Sequence, residues 1–131
     1  MARILVADDQ YSVQLWLEHV LTRAGHSVEL AYNGREVLER LQLDSQPVKP
    51  PTKLPAYDLL ITDITMPDLD GYHVLKRLHD QHIALPIIVI TVHRDDSDVQ
   101  EMKRLGARAV LNKPFSKYQL LEVLEKLLQD A

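Results

Sequence analysis

The chain of 131 residues contains no cysteine and only one tryptophan and one phenylalanine. The absence of cysteine excludes disulfides, thiolate metal sites and a cysteine nucleophile, and it agrees with a reducing, cytoplasmic location. Basic residues are also few, since 15 Lys and Arg stand against 19 Asp and Glu, a net charge of −4. Because duplex DNA demands a basic surface from so small a protein, we expect no direct nucleic-acid binding.

Long apolar runs are missing as well. The first run, from Ile4 to Ala7, ends at Asp8 and is too short for a signal-peptide core, and no run approaches membrane-spanning length. We therefore expect no membrane insertion. Hydrophobic residues still make up 46% of the chain, which is enough for the core of one domain over residues 1–131.

Five short apolar runs alternate with five segments of helical spacing. The three longest runs show no polar alternation, which is typical of parallel strands buried on both faces. This order predicts an α/β doubly wound fold, in which right-handed crossover helices cover both faces of a parallel sheet. The predicted strands are Ile4 to Ala7, Val28 to Ala31, Leu59 to Thr62, Ile87 to Thr91 and Ala109 to Leu111.

Capping residues indicate where several helices begin and end. The first helix carries an apolar stripe from Val13 to Ala24, with Trp16 in or at the edge of the core, and Gly25 ends it. The fourth is expected to bury Val99 and to end at Gly106. Three capping pairs predict helix starts, and they are Asn33 with Glu36, Ser97 with Gln100, and Ser116 with Gln119.

One segment, residues 42–57, breaks the alternation. It contains Pro47, Pro50, Pro51 and Pro55, so we expect an extended, non-helical loop inserted into the fold. Two interpretations stay open. The loop is either a tolerated surface excursion or a segment that docks a partner or a second copy of the chain.

Polar side chains follow the apolar strands where each strand ends. They are Asp8 and Asp9, Asp63, Thr91, Asn112 and Lys113. The carboxyl ends of parallel strands meet at one edge of a sheet, so we expect these groups to converge. Three adjacent carboxylates repel one another, and Mg²⁺ relieves that repulsion with oxygen ligands. Lys113 and Thr91 suit phosphoryl oxygens, and Asp63 is the best nucleophile candidate.

These residues, together with Met66-Pro67, Asp70-Gly71 and Lys113-Pro114-Phe115, resemble the receiver domain of two-component response regulators over essentially the whole chain. The resemblance is to stand-alone chemotaxis regulators among others. It implies a flavodoxin-like fold with strand order 2-1-3-4-5 and five flanking helices. It also implies a phosphoacceptor regulatory domain rather than an enzyme, one that catalyses at most its own phosphorylation and dephosphorylation.

The same resemblance implies roles for individual residues. Asp63 would accept a phosphoryl group from a histidine kinase or a phosphotransfer protein in a Mg²⁺-dependent reaction. The metal ligands would be Asp8, Asp9, Asp63 and the backbone carbonyl of Thr65. Lys113 and Thr91 would bind the phosphoryl oxygens.

The output implied by the family is a change in the face formed by the fourth helix, fifth strand and fifth helix. Here that face spans Ser97 to Leu105, Arg108 to Asn112 and Ser116 to Leu128. It would bind a downstream protein target or an output domain, or pair with a second copy in a phosphorylation-dependent homodimer. Whether the chain acts alone or as part of a longer protein stays open.

Two valines depart from the family pattern. Val110 stands where a Tyr or Phe that turns inward on activation is common, and Val92 stands where Ala or Gly is common. Val92 narrows access to the site, so we expect Val92→Ala to speed phosphorylation by small molecules. Thr65 and His93 occupy positions that often tune the lifetime of the phosphorylated state, although His93 also fits a solvated loop.

Two alternative functions follow from these departures and from the acidic motif. The first is a receiver-like protein-interaction module that works without phosphorylation, suggested by Val92 and Val110. The second is a phosphohydrolase that forms an aspartyl phosphate, since Asp63-Ile64-Thr65 loosely resembles its nucleophile segment. That class needs a second acid where this chain has Thr65, which argues against it.

Overall fold

The computed structural model describes residues 1–43, 57–66, 69–92 and 95–129. The five strands form a parallel sheet in the order β2-β1-β3-β4-β5. This confirms the predicted doubly wound, flavodoxin-like fold. Strands and helices alternate as β1 (Arg3–Ala7), α1 (Tyr11–Arg23), β2 (Ser27–Ala31), α2 (Gly34–Arg40), β3 (Leu59–Asp63), α3 (Gly71–Asp80), β4 (Ile87–Thr91), α4 (Asp96–Arg104), β5 (Ala109–Asn112) and α5 (Lys117–Gln129).

The sheet separates two apolar layers, because successive side chains of a strand point to opposite faces. On β1, Ile4 and Val6 join the layer under α1 and α5, whereas Leu5 and Ala7 join the layer under α2, α3 and α4. Every residue of β3 and β4 is buried, but β5 is only partly buried along its whole length. The buried strands β3 and β4 therefore hold the residues at their carboxyl ends in fixed positions.

The capping predictions are confirmed for two helices. The side chain of Asn33 accepts a hydrogen bond from the Glu36 amide at 2.9 Å and caps α2. Before α5, the Gln119 side chain accepts from the Ser116 amide at 2.8 Å, and the Ser116 hydroxyl accepts from the Gln119 amide at 3.1 Å. This reciprocal pair is the predicted capping box.

The fourth helix is predicted to start near Ser97, and α4 begins at Asp96. The predicted capping box of Ser97 with Gln100 is wrong. Asp95 caps the helix instead, and its carboxylate accepts from the Ser97 amide at 3.0 Å and from the Ser97 hydroxyl at 2.8 Å. Aspartate is as good an N-cap as serine, and carboxylates gain further from the positive end of the helix dipole. Val99, expected in the core, is only partly buried.

The apolar stripe of α1 is shorter than predicted. Leu17, Val20 and Leu21 are buried, but Ala24 is the exposed C-cap residue. Trp16 is 37% exposed and packs edge-on against Phe115, with ring centroids 5.6 Å apart, so it lies at the edge of the core as expected.

The predicted proline-rich loop lies between two buried anchors, Leu43 and Tyr57; residues 44–56 of it fall outside the described residues. The Tyr57 hydroxyl donates to the Glu29 carboxylate, and the Arg3 guanidinium lies 5.2 Å from the centre of the tyrosine ring. Asp58 accepts from the Arg3 amide at 2.8 Å. These four residues, the Tyr57 cluster, attach the chain to β1 and β2 just before β3 begins.

Within the described ranges, none of the helices combines the length and the apolar character that a membrane crossing requires.

Candidate functional site

The predicted polar residues converge at the carboxyl edge of the sheet. Asp8 directly follows β1, Asp63 and Thr91 end β3 and β4, and Lys113 directly follows β5. Asp8 and Thr91 are fully buried, and Asp63 is 7% exposed. Carboxylate oxygens of Asp8, Asp9 and Asp63 lie within 4.8 Å of one another. Parallel pairing of the strands thus brings together acids that lie more than fifty residues apart in the chain.

The Lys113 ammonium lies between these acids. Its Nζ donates to Asp8 Oδ2 at 2.9 Å, to Asp63 Oδ2 at 3.0 Å and to Gln10 Oε1 at 3.3 Å. Burial by itself would lower the pKa of Lys113, but the hydrogen bonds and the charges of Asp8 and Asp63 outweigh it and raise the pKa. The lysine therefore stays protonated and presents a permanent positive charge beside Asp63.

Burial and the crowding of charged groups change the pKa of Asp8. Burial raises the pKa of Asp8, and the negative charge of Asp63 adds to that rise. The Gln10 amide, which donates to Asp8 Oδ1 at 2.8 Å, and the Lys113 ammonium act in the opposite direction without cancelling it. Three clustered carboxylates thus lie beside one ammonium, and hard oxygen ligands of this kind fit a divalent cation such as Mg²⁺.

The loop after β3 is fixed against the start of α3. The Thr65 amide donates to Asp63 Oδ1 at 3.2 Å, and the Gly71 amide donates to the Ile64 carbonyl at 2.9 Å. A Cβ atom at Gly71 would collide with the Asp63 carbonyl oxygen and lie 2.8 Å from Ile64 Cα. Only glycine allows this approach, and Asp70 caps α3 by accepting from the His73 amide at 3.1 Å. This explains the Asp70-Gly71 pair.

The two valines that depart from the family pattern lie in different surroundings. Val110 on β5 is partly buried and packs against the core layer under α2, α3 and α4. Val92 is 68% exposed. His93, predicted to be either a solvated or a lifetime-tuning residue, lies outside the described residues.

An open cavity of about 470 Å³ lies beside the acidic cluster. Val92 forms part of its rim, and Lys113 is the charged residue in its lining. The cavity is lined by Gln10, Ser12, Val13, Trp16, Val92, Lys113, Pro114 and Phe115.

Two glutamines close to the site are not among the residues predicted from the sequence. Gln14 is fully buried and donates to the Ala31 carbonyl at 2.6 Å. Its position, three residues before Leu17 on the apolar stripe, was a signal that placed it on the buried face. Nothing in the sequence indicates the contact between Gln10 and Lys113, because it depends on the position of a loop 103 residues away in the chain.

Residues 4–125 match the family model of the response regulator receiver domain. Among curated proteins, the chain is 34% identical over 114 residues to the alkaline phosphatase synthesis transcriptional regulatory protein PhoP of Bacillus subtilis. It is 36% identical over 127 residues to the response regulator MprA of Mycolicibacterium vanbaalenii. These matches cover 87% and 97% of the chain, which spans only 43% and 50% of the two relatives.

Solved structures agree with the sequence matches. The chemotaxis response regulator CheY4 of Vibrio cholerae superposes with a TM-score of 0.80 at 32% identity, over 97% of this chain and 98% of that one. The receiver domain of the Francisella response regulator 1452 gives a TM-score of 0.86 at 26% identity, over 99% and 98%. The chain therefore belongs to the response regulator receiver domain family, whose members are phosphoacceptor regulatory modules rather than classical enzymes.

Proposed function

We propose that this receiver domain accepts a phosphoryl group on Asp63 from a histidine kinase or a phosphotransfer protein. The observation that carries the proposal is the pairing of a nearly buried Asp63 carboxylate with the Lys113 ammonium at 3.0 Å, beside two further carboxylates. A nucleophile, a fixed positive charge and an oxygen-rich cation site within one cluster are the parts that phosphoryl transfer requires.

Each residue of the site has a distinct role in the proposed phosphoryl transfer. A carboxylate oxygen of Asp63 forms a bond to phosphorus while the bond from phosphorus to the donor's leaving atom breaks and its electron pair stays with the donor. The Lys113 ammonium and the Thr91 hydroxyl bind non-bridging phosphoryl oxygens. Asp8, Asp9, Asp63 and the Thr65 backbone carbonyl would hold Mg²⁺, which supplies neutralisation of the phosphoryl charge.

We further propose that the output passes to the face of α4, β5 and α5. The Lys113 amide donates to the Thr91 carbonyl at 2.8 Å, and Thr91 pairs with Asn112 in the sheet register. A movement of Lys113 or Thr91 toward a phosphoryl group would therefore pull directly on β5. Val110 of β5 packs against the core layer that contains Met102 of α4. A movement of β5 would therefore reach α4 through packed side chains, without an aromatic residue that turns inward.

The partner of that face would be a downstream protein, an output domain or a second copy of the chain. The proposed setting is the cytoplasm, with residues 1–131 acting as one receiver domain and residues 42–57 as an inserted loop. The longer curated relatives support an output domain in the same polypeptide.

The alternative is a receiver-like interaction module that works without phosphorylation. Val110 favours it, because the usual inward-turning aromatic is missing from β5. The two functions differ in one outcome. Asp63→Asn would leave partner binding unchanged in a phosphorylation-independent module and would remove phosphorylation-dependent binding in the proposed one.

The proposal is tested by intact-protein mass after incubation with acetyl phosphate and Mg²⁺. The native protein should gain one phosphoryl group, and Asp63→Asn should gain none. Asp80→Asn, an exposed acid at the end of α3, is the matched control and should behave like the native protein. If the native protein gains no mass with acetyl phosphate or with a panel of histidine kinases, the phosphorylation-independent module becomes the better account.

A further inference from the structure

Among the described residues, the Lys113 ammonium contacts as many acceptors as it has N–H bonds. An ammonium group carries three N–H bonds, and here its three acceptors are Asp8, Asp63 and Gln10. If a phosphoryl oxygen on Asp63 is to receive a hydrogen bond from Lys113, one of the three present hydrogen bonds of Lys113 must break.

The three contacts are unequal in length, charge and burial. Asp8 and Asp63 are charged acceptors at 2.9 and 3.0 Å, and their side chains are 0% and 10% exposed. Gln10 is a neutral acceptor at 3.3 Å and is exposed. Hydrogen bonds to charged acceptors are shorter and roughly twice as strong as neutral ones. The Gln10 contact is therefore the weakest of the three and the first to yield.

The backbone of Gln10 is fixed, but its side chain has room to move. Its amide donates to Asp8 Oδ1 at 2.8 Å, and its carbonyl accepts from the Gln14 amide at 3.1 Å. Gln10 occupies the N-cap position of α1, yet its side chain makes no capping hydrogen bond. It also lines the open cavity of about 470 Å³ beside Lys113, which can receive the displaced side chain.

We propose that Gln10 is a positioning residue that holds the third N–H of Lys113 until a phosphoryl oxygen takes it, and so limits the rate of phosphorylation. This inference rests on the proposed phosphorylation of Asp63. Lys113 does not need Gln10 to stay in place, because the two carboxylates fix it. Removing the Gln10 acceptor should therefore speed phosphorylation, and strengthening that acceptor should slow it.

Three variants separate this role from a structural one. Gln10→Met removes the acceptor with little change in side-chain length. Gln10→Ser also removes it but introduces a good N-cap, which stabilises α1. Gln10→Glu replaces the neutral acceptor by a charged one, so the hold on Lys113 becomes stronger.

The experiment measures the initial rate of mass gain with acetyl phosphate at saturating Mg²⁺, with calorimetric Mg²⁺ titrations and unfolding curves for each variant. Gln10→Met and Gln10→Ser should both phosphorylate roughly two- to five-fold faster than the native protein, the factor expected for one modest hydrogen bond. Gln10→Glu should be slower by at least a similar factor. The Mg²⁺ affinity of Gln10→Met should match that of the native protein.

The inference is overturned if Gln10→Met is as slow as the native protein or slower. It is also overturned if the rates of the variants follow helix stability, with Gln10→Ser and Gln10→Met changing in opposite directions. In both cases the native protein still gains a phosphoryl group. Failure of the native protein to gain one contradicts the proposed function itself, so the two failures are distinguishable.

Discussion

Paired charged side chains lie toward both ends of the parallel sheet, but they are exposed toward the amino end and largely buried at the carboxyl end. Toward the amino end, Arg3 at the start of β1 lies 3.6 Å from Glu29 in the middle of β2, and their side chains are 54% and 41% exposed. At the carboxyl end, Lys113 and Asp8 are 15% and 0% exposed and lie 2.9 Å apart. Exposed ion pairs contribute little to stability, whereas desolvated charges are costly unless they are fully paired.

This difference separates a structural cluster from a functional one. In the Tyr57 cluster, Tyr57 donates to Glu29 and Asp58 accepts from the Arg3 amide, so the cluster joins the end of residues 42–57 to the sheet. The acidic cluster places three carboxylates beside the Lys113 ammonium, and burial raises the pKa of Asp8 within it. A site with more negative than positive charge is ready to bind a cation and a reacting group, so we expect ligands to act at the carboxyl end of the sheet.

Gly71→Ala, at the carboxyl end of the sheet, should have the largest effect on stability and on phosphorylation. Its Cβ would meet the backbone of Asp63 and Ile64, which has no room to retreat because β3 is wholly buried. We expect a loss of roughly 1–3 kcal/mol in the free energy of unfolding, as for overpacked cores, and slower phosphorylation of Asp63. Chemical denaturation and the mass assay measure these two effects.

The matched control for that variant is Lys76→Ala on the exposed side of α3. It should change stability by no more than about 0.5 kcal/mol and leave phosphorylation intact. Equal behaviour of the two alanine variants would contradict the close packing of α3 against the Asp63 loop.

Mg²⁺ should stabilise the fold through the carboxyl end of the sheet alone. A ligand that binds only the folded state at a hundred times its dissociation constant adds about 2.7 kcal/mol to the free energy of unfolding. We expect such a gain in the native protein and a much smaller one in Asp9→Asn, which lacks one of the three clustered carboxylates. Thermal unfolding with and without Mg²⁺ measures it.

Asp58→Asn is the control at the amino end, where the carboxylate accepts from the Arg3 amide. It should retain the full Mg²⁺-dependent gain, whatever its own stability. An equal loss of the gain in both variants would show that Mg²⁺ does not distinguish the two ends of the sheet.

At the amino end, Tyr57→Phe tests whether the Tyr57 cluster is purely structural. It removes the hydroxyl that donates to Glu29 and should lower the free energy of unfolding by about 0.5–1.5 kcal/mol. The rate of Asp63 phosphorylation should not change. Tyr118→Phe, at a position 73% exposed, should change neither quantity. A slower phosphorylation in Tyr57→Phe would mean that the two ends are coupled.

The smallest effect is expected from Val92→Ala. Val92 is exposed at the rim of the cavity beside Lys113, so its methyl groups restrict the approach of a small phosphodonor. We expect the initial rate with acetyl phosphate to rise about two-fold, which corresponds to ~0.4 kcal/mol in the barrier. Leu15→Ala, exposed on α1 and outside the cavity lining, should leave the rate unchanged. An unchanged rate in Val92→Ala would contradict this role.

The sequence predicted the sheet and the convergence of the site because both follow from local patterns. Apolar runs on both faces indicated buried parallel strands, and the rule that parallel strand ends share one edge placed Asp8, Asp63 and Lys113 together. The capping residues of α4 were mispredicted because Asp95 and Ser97, two residues apart, are both good caps, and the sequence does not rank the two candidates.

Three contacts in the structure depend on distances between separate segments of the chain, which no sequence pattern indicates. The need for glycine at position 71 arises from the approach of α3 to the Asp63 backbone. The Gln10 contact arises from the course of the loop that carries Lys113. The Tyr57 cluster joins three segments that are far apart in the chain. Such contacts are products of the assembled fold rather than of any one element.

If Asp63 is the phosphoacceptor of this receiver domain, its acyl phosphate can be trapped chemically. The most direct measurement is borohydride reduction of the protein after incubation with acetyl phosphate and Mg²⁺, followed by peptide mass spectrometry. An acyl phosphate on an aspartate is reduced to homoserine, so the account predicts homoserine at position 63 and at no other aspartate. Homoserine at Asp8 or Asp9 with none at position 63, or a phosphoryl group found on a histidine instead, would contradict it.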